Sequence, residues 1–236
     1  MKRARQAALA LLVGGIAVVG GDSSGGAQAG AQASCTVSIA VANVHVASSS
    51  TYVVPGTLTH ACGAISASWD MLQGAQLISS WFLWSGGSTP LSEGQSDKAY
   101  FYPSTEPLGT YQASPNSADD TNYDALPQNS YQFSIKVNSR ISISGYRSAK
   151  NVYVRARVTQ FNPNANFGLG SWTNSQGRSV DFYQNRSGWK RVGAKTTGKN
   201  GYTAYLKVLS PARRSYRATV SPTPTIWDQT STAISR

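Results

Sequence analysis

Residues 37–46 read Val37-Ser38-Ile39-Ala40-Val41-Ala42-Asn43-Val44-His45-Val46, and their rhythm decides the fold class. Val37, Ile39 and Val41 alternate with Ser38 and Ala40, and Val44 and Val46 flank His45. A period of two is the mark of a strand with one buried face. Outward from this stretch the same short β-branched and aromatic runs recur, punctuated by Gly, Pro, Asn and Ser. Pro55-Gly56 marks a turn, and Thr57 to Ala61 leads to Cys62. Further strands are predicted over residues 65–72, 77–84, 98–102, 109–113 and 131–137. Short strands at this spacing match a Greek-key sandwich of about 100 residues. The remainder repeats the rhythm at 140–143, 151–161, 178–183, 189–195, 202–209, 215–220 and 231–235. No window carries an apolar stripe at spacings of three and four through three turns, so helices are not expected.

Before the first strand, Lys2, Arg3 and Arg5 precede an apolar run from Ala7 to Val19, followed by a Gly/Ser/Ala-rich stretch with Ala31-Gln32-Ala33. This is the layout of a secretory signal peptide. The run is shorter than the roughly 20 residues a spanning helix needs, and no later segment is apolar for so long. Cys35 lies close to the cleavage region, but Gln32-Ala33-Ser34 lacks the apolar residue expected three places before a lipidated cysteine. The chain is therefore expected to be secreted, with its mature form beginning near Ser34. In an oxidising compartment its two cysteines, Cys35 and Cys62, read as a disulfide.

Charge divides the chain. Residues 35–136 hold two basic and seven acidic side chains, a net of −5, whereas residues 137–236 hold sixteen Lys and Arg against Asp181 and Asp228, a net of +14. A sign reversal on this scale favours two domains with different surfaces. Each half also carries a late tyrosine, Tyr111 and Tyr216, of the kind that closes a corner between sandwich strands through a backbone hydrogen bond. Trp69 and Trp189 read as core residues.

From Ser179 to Ser235 the chain holds Val180-Asp181-Phe182-Tyr183, Gly188-Trp189-Lys190-Arg191-Val192, Thr196-Thr197-Gly198-Lys199-Asn200-Gly201-Tyr202 and Ser215-Tyr216-Arg217-Ala218. This segment resembles the bacterial Ig-like repeats of actinobacterial surface and secreted proteins, departing from them where Thr197-Gly198 replaces the usual Asp. Leu58-Thr59-His60-Ala61-Cys62 and Ser68-Trp69-Asp70 resemble the amino-terminal module of proteins with this layout. The resemblance implies adhesion, wall-associated or accessory roles, and fold alone supplies no activity. The expected organisation is all-β: a signal peptide over 1–33, an acidic Ig-like β-sandwich with one disulfide over 34–137, and a basic one over 138–236.

Chemistry is sparse. His45 and His60 are the only imidazoles, neither stands in a metal-ligand spacing, and no G-x-S-x-G or S-x-x-K arrangement occurs. Catalysis and cofactors are not expected. Asp119, Asp120, Asn122 and Asp124 supply oxygen ligands suited to Ca²⁺, without the Gly and distal Glu of an EF-hand loop, so a solvated Asx-rich loop competes with a metal site. Trp81 and Trp84 fall on opposite faces of one strand, and an exposed member would suit sugar stacking or a protein interface. In the basic half, Arg155 and Arg157 share a face, and Lys190, Arg191, Lys195, Lys199, Arg213, Arg214 and Arg217 lie near turns and adjacent strands. Such a field attracts polyanions. The sequence therefore predicts a noncatalytic secreted or wall-associated protein whose basic domain meets an anionic wall polymer, polysaccharide or protein. A carbohydrate-binding or adhesive module is the alternative, and a secreted enzyme with an unrecognised site is a third reading. Sequence-specific nucleic-acid recognition and a transmembrane segment are not expected.

Overall fold

Alternation turns into architecture because each strand has one apolar row that only a facing sheet can cover. The computed structural model describes residues 35–236, so the leader and its cleavage site lie outside the described residues. Seventeen strands and no helix make up this part of the chain.

The first sandwich packs a sheet of order β1-β3-β6, that is Ser38–Val41, Tyr52–His60 and Ser96–Phe101, against one of order β2-β8-β7-β4-β5. The second sheet joins Val44–Val46, Tyr131–Val137, Gly109–Asp119, Ser66–Gln73 and Gln76–Trp84. β2 runs parallel to β8, while the other pairs are antiparallel. The chain crosses between sheets after β1, β2, β3, β5 and β6, and the crossings after β3, β5 and β6 are those of the Greek-key order of the immunoglobulin fold. Two further marks of that fold are present. Trp69 on β4 is fully buried, its Nε1–H donating to the Asn129 carbonyl at 3.0 Å. The buried Tyr111 hydroxyl donates to the Pro107 carbonyl, closing the corner before β7, and burial pushes that phenol well above its ordinary pKa.

Antibody-type domains place a sheet-bridging cysteine two residues after this tyrosine; here Ala113 stands there, fully buried. The disulfide instead joins Cys35, before β1, to Cys62, after β3. It ties two neighbouring strands of one sheet, and the space between sheets is filled by Trp69, Trp81 and Phe133.

The second sandwich begins with a long hairpin, β9 (Ser139–Ser148) and β10 (Asn151–Asn162), in unbroken register from Ser148↔Asn151 to Ser139↔Gln160. On its other edge β10 pairs with β11 (Ser171–Asn174) and β14 (Leu206–Leu209). The facing sheet runs β13 (Trp189–Thr196), β12 (Ser179–Asn185), β15 (Ser215–Val220), with β16 (Gln229–Thr230) and β17 (Ile234–Ser235) both on β15. A separate apolar cluster centred on Val152, Val154, Phe182 and Tyr216 fills this sandwich.

Several strands differ from the sequence expectation. β9 continues five residues past Ile143 and β7 six past Ala113, because outward serines and asparagines keep pairing where the apolar alternation fades. β11 carries no alternation of its own and exists only as a partner for the end of β10. Tyr216 makes no backbone corner; its buried hydroxyl accepts from Gln184 Nε2 at 2.6 Å, and that amide also donates to Ser210 Oγ at 2.9 Å.

β8 ends at Val137 and β9 begins at Ser139, so the sandwiches meet without a spacer. Phe161 and Ile226 belong to the first sandwich's apolar cluster. Trp227 lies flat on His45, ring centroids 4.4 Å apart, donates its Nε1–H to the Val44 carbonyl at 3.1 Å and lies 4.9 Å beneath the Lys136 ammonium.

Candidate anion-binding face

Along β10, Val152, Val154, Ala156 and Val158 point into the core, so Tyr153, Arg155, Arg157 and Thr159 point outward. Register places their neighbours. Tyr146 and Lys207 flank Tyr153, Ser144 lies opposite Arg155, Ser142 and Tyr202 flank Arg157, and Arg140 and Asn174 flank Thr159. Tyr205 stands beside Arg155, since its successor Leu206 pairs with Val154.

These side chains form a connected ladder. The Arg157 guanidinium lies 5.4 Å from the Tyr202 ring centroid; that of Arg155 lies 4.8 Å from Tyr202 and 5.0 Å from Tyr205. Tyr205 meets Tyr146 edge-on at 5.5 Å, and Tyr146 stacks on Tyr153 at 4.9 Å. Beyond Thr159 the Arg140 guanidinium covers the Trp172 ring at 3.6 Å. Each exposed cation–π contact contributes about 0.5–1 kcal/mol, which offsets part of the roughly 2 kcal/mol of side-chain entropy of an arginine and biases the guanidinium towards this position before a ligand arrives. Tyr202 is positioned by the 198–202 turn, where Gly198 N–H donates to the Tyr202 carbonyl at 2.8 Å and Gly201 adopts φ +76°. A Cβ on Gly201 would stand 2.6 Å from the Val158 carbonyl oxygen, so only glycine fits.

No Asp or Glu stands in any of these rows. The only ion pair among the described residues, Arg191 to Asp181 at 2.7 Å, is on the other sheet. The outward guanidiniums of Arg140, Arg155 and Arg157 thus rest on aromatic rings, with donors left for an anion. A cleft of about 330 Å³ runs between Arg140, Ser142, Arg157, Thr159 and Trp172.

The cations expected from sequence do not form one site. Arg155 and Arg157 lie on this face. Arg191 and Arg217 flank Tyr183 on the outer face of the opposite sheet, where Arg217 is held 4.4 Å from the Trp189 ring and 5.6 Å from that of Tyr183. Lys190 and Lys195 are exposed on the edge strand β13, Lys199 is in the 198–202 turn, and Arg213 and Arg214 are in the β14–β15 loop. Other arginines are structural: Arg147 donates to the carbonyls of Ser210, Ala212 and Arg236, and Arg178 is buried against the Ser221 carbonyl, its guanidinium pKa lowered by that burial. Sequence reasoning missed Arg140, Tyr146, Tyr153, Trp172, Tyr202, Tyr205 and Lys207. The signal for two of them was the uninterrupted hairpin around Ala149-Lys150, whose register carries Tyr146 and Arg140 onto the Arg155 face.

One expectation for the aromatic contacts is corrected. Trp81 is fully buried, its Nε1–H donating to the Val54 carbonyl at 2.8 Å, so it is core and offers no surface contact. Trp84 is 64% exposed and shares the outer side of β5 with Phe82, 58% exposed. In the Asp119–Asp124 segment two carboxylates bond to nearby donors of the chain. Asp120 Oδ1 accepts the N–H groups of Asn122 and Asp124 at 2.8 and 2.9 Å, while Asp119 Oδ2 accepts from Ser66. Among the described residues no group of three or more His, Cys, Asp or Glu could hold a metal.

His45 and Asp228 line a common groove where the sandwiches meet. The imidazole is stacked on Trp227, its Nδ1 lies 3.1 Å from Asn138 Oδ1, and the nearby Ser139 hydroxyl donates to the Trp227 carbonyl. Among the described residues the one side-chain hydrogen bond of the imidazole is to Asn138.

No protein-family model and no curated protein matches the chain. Among solved structures it is similar to the D00-D0 domain of intimin, at 10% identity over 84% of this chain and 98% of that one, with a TM-score of 0.26. It is also similar to the D0-D1 domain of intimin, at 15% identity over 84% and 96%, TM-score 0.27. Domains A168–A170 of titin match at 11% identity over 81% and 61%, TM-score 0.24. Strand order, Trp69 and the Tyr111 corner carry the Ig-like assignment.

Proposed function

We propose that this is a noncatalytic secreted or wall-associated binding protein that attaches to anionic polymers through the outer face of β9, β10 and β14. The observation that carries this reading is the ladder of Arg157, Tyr202, Arg155 and Tyr205 on a sheet face without carboxylates. Stacked guanidiniums are weakly hydrated and give up water to an incoming anion more readily than ammonium groups. The Cys35–Cys62 bridge suits an oxidising compartment, and among the described residues no helix is long and apolar enough to cross a membrane. The acidic first sandwich acts in this reading as a rigid spacer, because Trp227 and Phe161 pin it to the second.

Calorimetric titration with a soluble wall-type polyanion tests the idea. Arg155→Gln combined with Arg157→Gln should weaken binding at least tenfold, whereas Lys190→Gln combined with Lys195→Gln on β13 should change it less than threefold, charge-assisted contacts being stronger than diffuse attraction. Equal losses from the two pairs would reject a localised site.

A second reading rests on Phe82 and Trp84, two exposed rings on one side of the edge strand β5. A neutral glycan could stack on them. Binding on a glycan array that disappears in Trp84→Ala and survives high salt would favour it over the electrostatic reading.

A further inference from the structure

Outward residues on a strand repeat every second position, about 6.6–6.8 Å. On the β10 face each such row holds one cation: Lys207 beside Tyr153, then Arg155, then Arg157, then Arg140 beside Thr159. The line they draw is oblique, from β14 across β10 to β9, and covers about 20 Å along the strand. Three backbone bonds of an extended chain advance about 3.3–3.6 Å, so a polymer with one charge per six backbone bonds has a period of about 6.6–7.2 Å by the same bond geometry. Along the strand axis that period matches the rows; the two steps that change strand, Lys207 to Arg155 and Arg157 to Arg140, are about 8 Å between Cα positions because strands lie about 4.8 Å apart, a difference the long Lys207 and Arg140 side chains span.

We propose, building on the anionic-polymer reading, that the face is a register-matched site for an extended phosphodiester chain of polyol-phosphate type, with successive phosphates on Lys207, Arg155, Arg157 and Arg140. Three carbons, two ester oxygens and one phosphorus make the six-bond repeat. The aromatic rings set the guanidiniums and do not bind the polymer. Tyr202 is engaged by two guanidiniums, Tyr205 by Arg155 and the Tyr146 edge, and Tyr146 by Tyr153. Nucleic acid shares the six-bond repeat and adds bases that stack on aromatic rings; Tyr146 and Tyr205 are 49% and 42% exposed, so an oligonucleotide is the comparison that separates base stacking from phosphate register. An acidic peptide with alternating carboxylates also has the period. Its N–H and C=O groups would lie over side chains and away from any strand edge, so they would keep their bonds to water and the backbone would add nothing to affinity. A polyol phosphate has no such groups, and Ser142, Ser144 and Thr159 offer hydroxyls between the cations.

The test compares a glycerol-phosphate oligomer series, a thymidine oligonucleotide, an alternating Asp-Gly peptide and an oligogalacturonate of equal charge, titrated into the intact protein at fixed salt. The glycerol-phosphate oligomer should bind at least tenfold tighter than the peptide and the uronate. Its affinity should climb with length up to four phosphates and then level. Arg157→Gln should cost about tenfold, as expected for one charge-assisted contact. Adding Ser142→Arg, directly across from position 157, should restore most of the loss, because it returns a cation to the same row. Thermal unfolding of each variant identifies any that fail to fold, and the length series on the unaltered protein stands without them. Equal affinity for all four polymers would overturn the register match and leave the electrostatic reading standing. Tighter binding of the oligonucleotide would overturn it in favour of base stacking, and tighter binding of the peptide in favour of a protein partner. No binding of any polymer would overturn both.

Discussion

Replacing Trp81 with alanine removes a fully buried indole and the donor to the Val54 carbonyl. Burial of an aromatic of this size takes about 150–250 Å² out of water, or roughly 4–6 kcal/mol at 25 cal/mol per Å². Measured Trp→Ala and Phe→Ala changes in cores cost about 3–5 kcal/mol after partial collapse, and an orphaned buried carbonyl adds about 1 kcal/mol. We therefore expect a loss of about 4–6 kcal/mol. At about 2–4 °C per kcal/mol for a chain of this size, the midpoint should fall by about 8–24 °C. Trp84, exposed on the same strand, should cost no more than about 0.5 kcal/mol on truncation, as surface changes do. Differential scanning calorimetry of Trp81→Ala and Trp84→Ala side by side measures the contrast. Midpoints within 2 °C of each other would refute the assignment of Trp81 to the core and Trp84 to the surface.

Reduction of Cys35–Cys62, or Cys62→Ser, should lower stability by about 3–4 kcal/mol on the chain-entropy account of a loop with 27 residues of separation; denaturant unfolding with and without reductant reads this out. Arg147→Met leaves three carbonyls without their shared donor and should cost at least about 2 kcal/mol while leaving polyanion affinity within twofold, which separates a structural arginine from those of the ladder. Trp227→Ala removes the stack on His45 and the bond to the Val44 carbonyl. It should loosen the junction, visible as a larger radius of gyration in solution scattering and new protease cleavage near residue 138. An unchanged scattering profile would show that the other contacts suffice.

Much of the fold was legible because burial leaves an alternating signature in sequence. β8 and β15 lie where their apolar rows place them, and Tyr111 makes the corner its position suggested. β11 was not legible, since Ser171–Asn174 owes its conformation to β10 and not to its own residues. The site was half visible. Arg155 and Arg157 share a face by simple alternation, but Tyr202 reaches them only through the 198–202 turn and Arg140 only through hairpin register. Pairing partners distant in the chain leave no local pattern, so net charge showed that the second half was basic without showing that its cations face opposite ways. Trp81 and Trp84 show the same limit, because alternation separates two faces without saying which is outside.

The central claim is that the outer face of β9, β10 and β14 is where anions bind. Titration of a glycerol-phosphate oligomer into isotope-labelled protein, followed by amide chemical shifts, tests it residue by residue. Shifts should concentrate at residues 140–146, 153–159 and 202–207 and fade with salt, the log–log slope of affinity being near −2.8 for four phosphate contacts at about 0.7 per contact. Shifts centred on Lys190 and Lys195 of β13, or on Phe82 and Trp84 of β5, would contradict it.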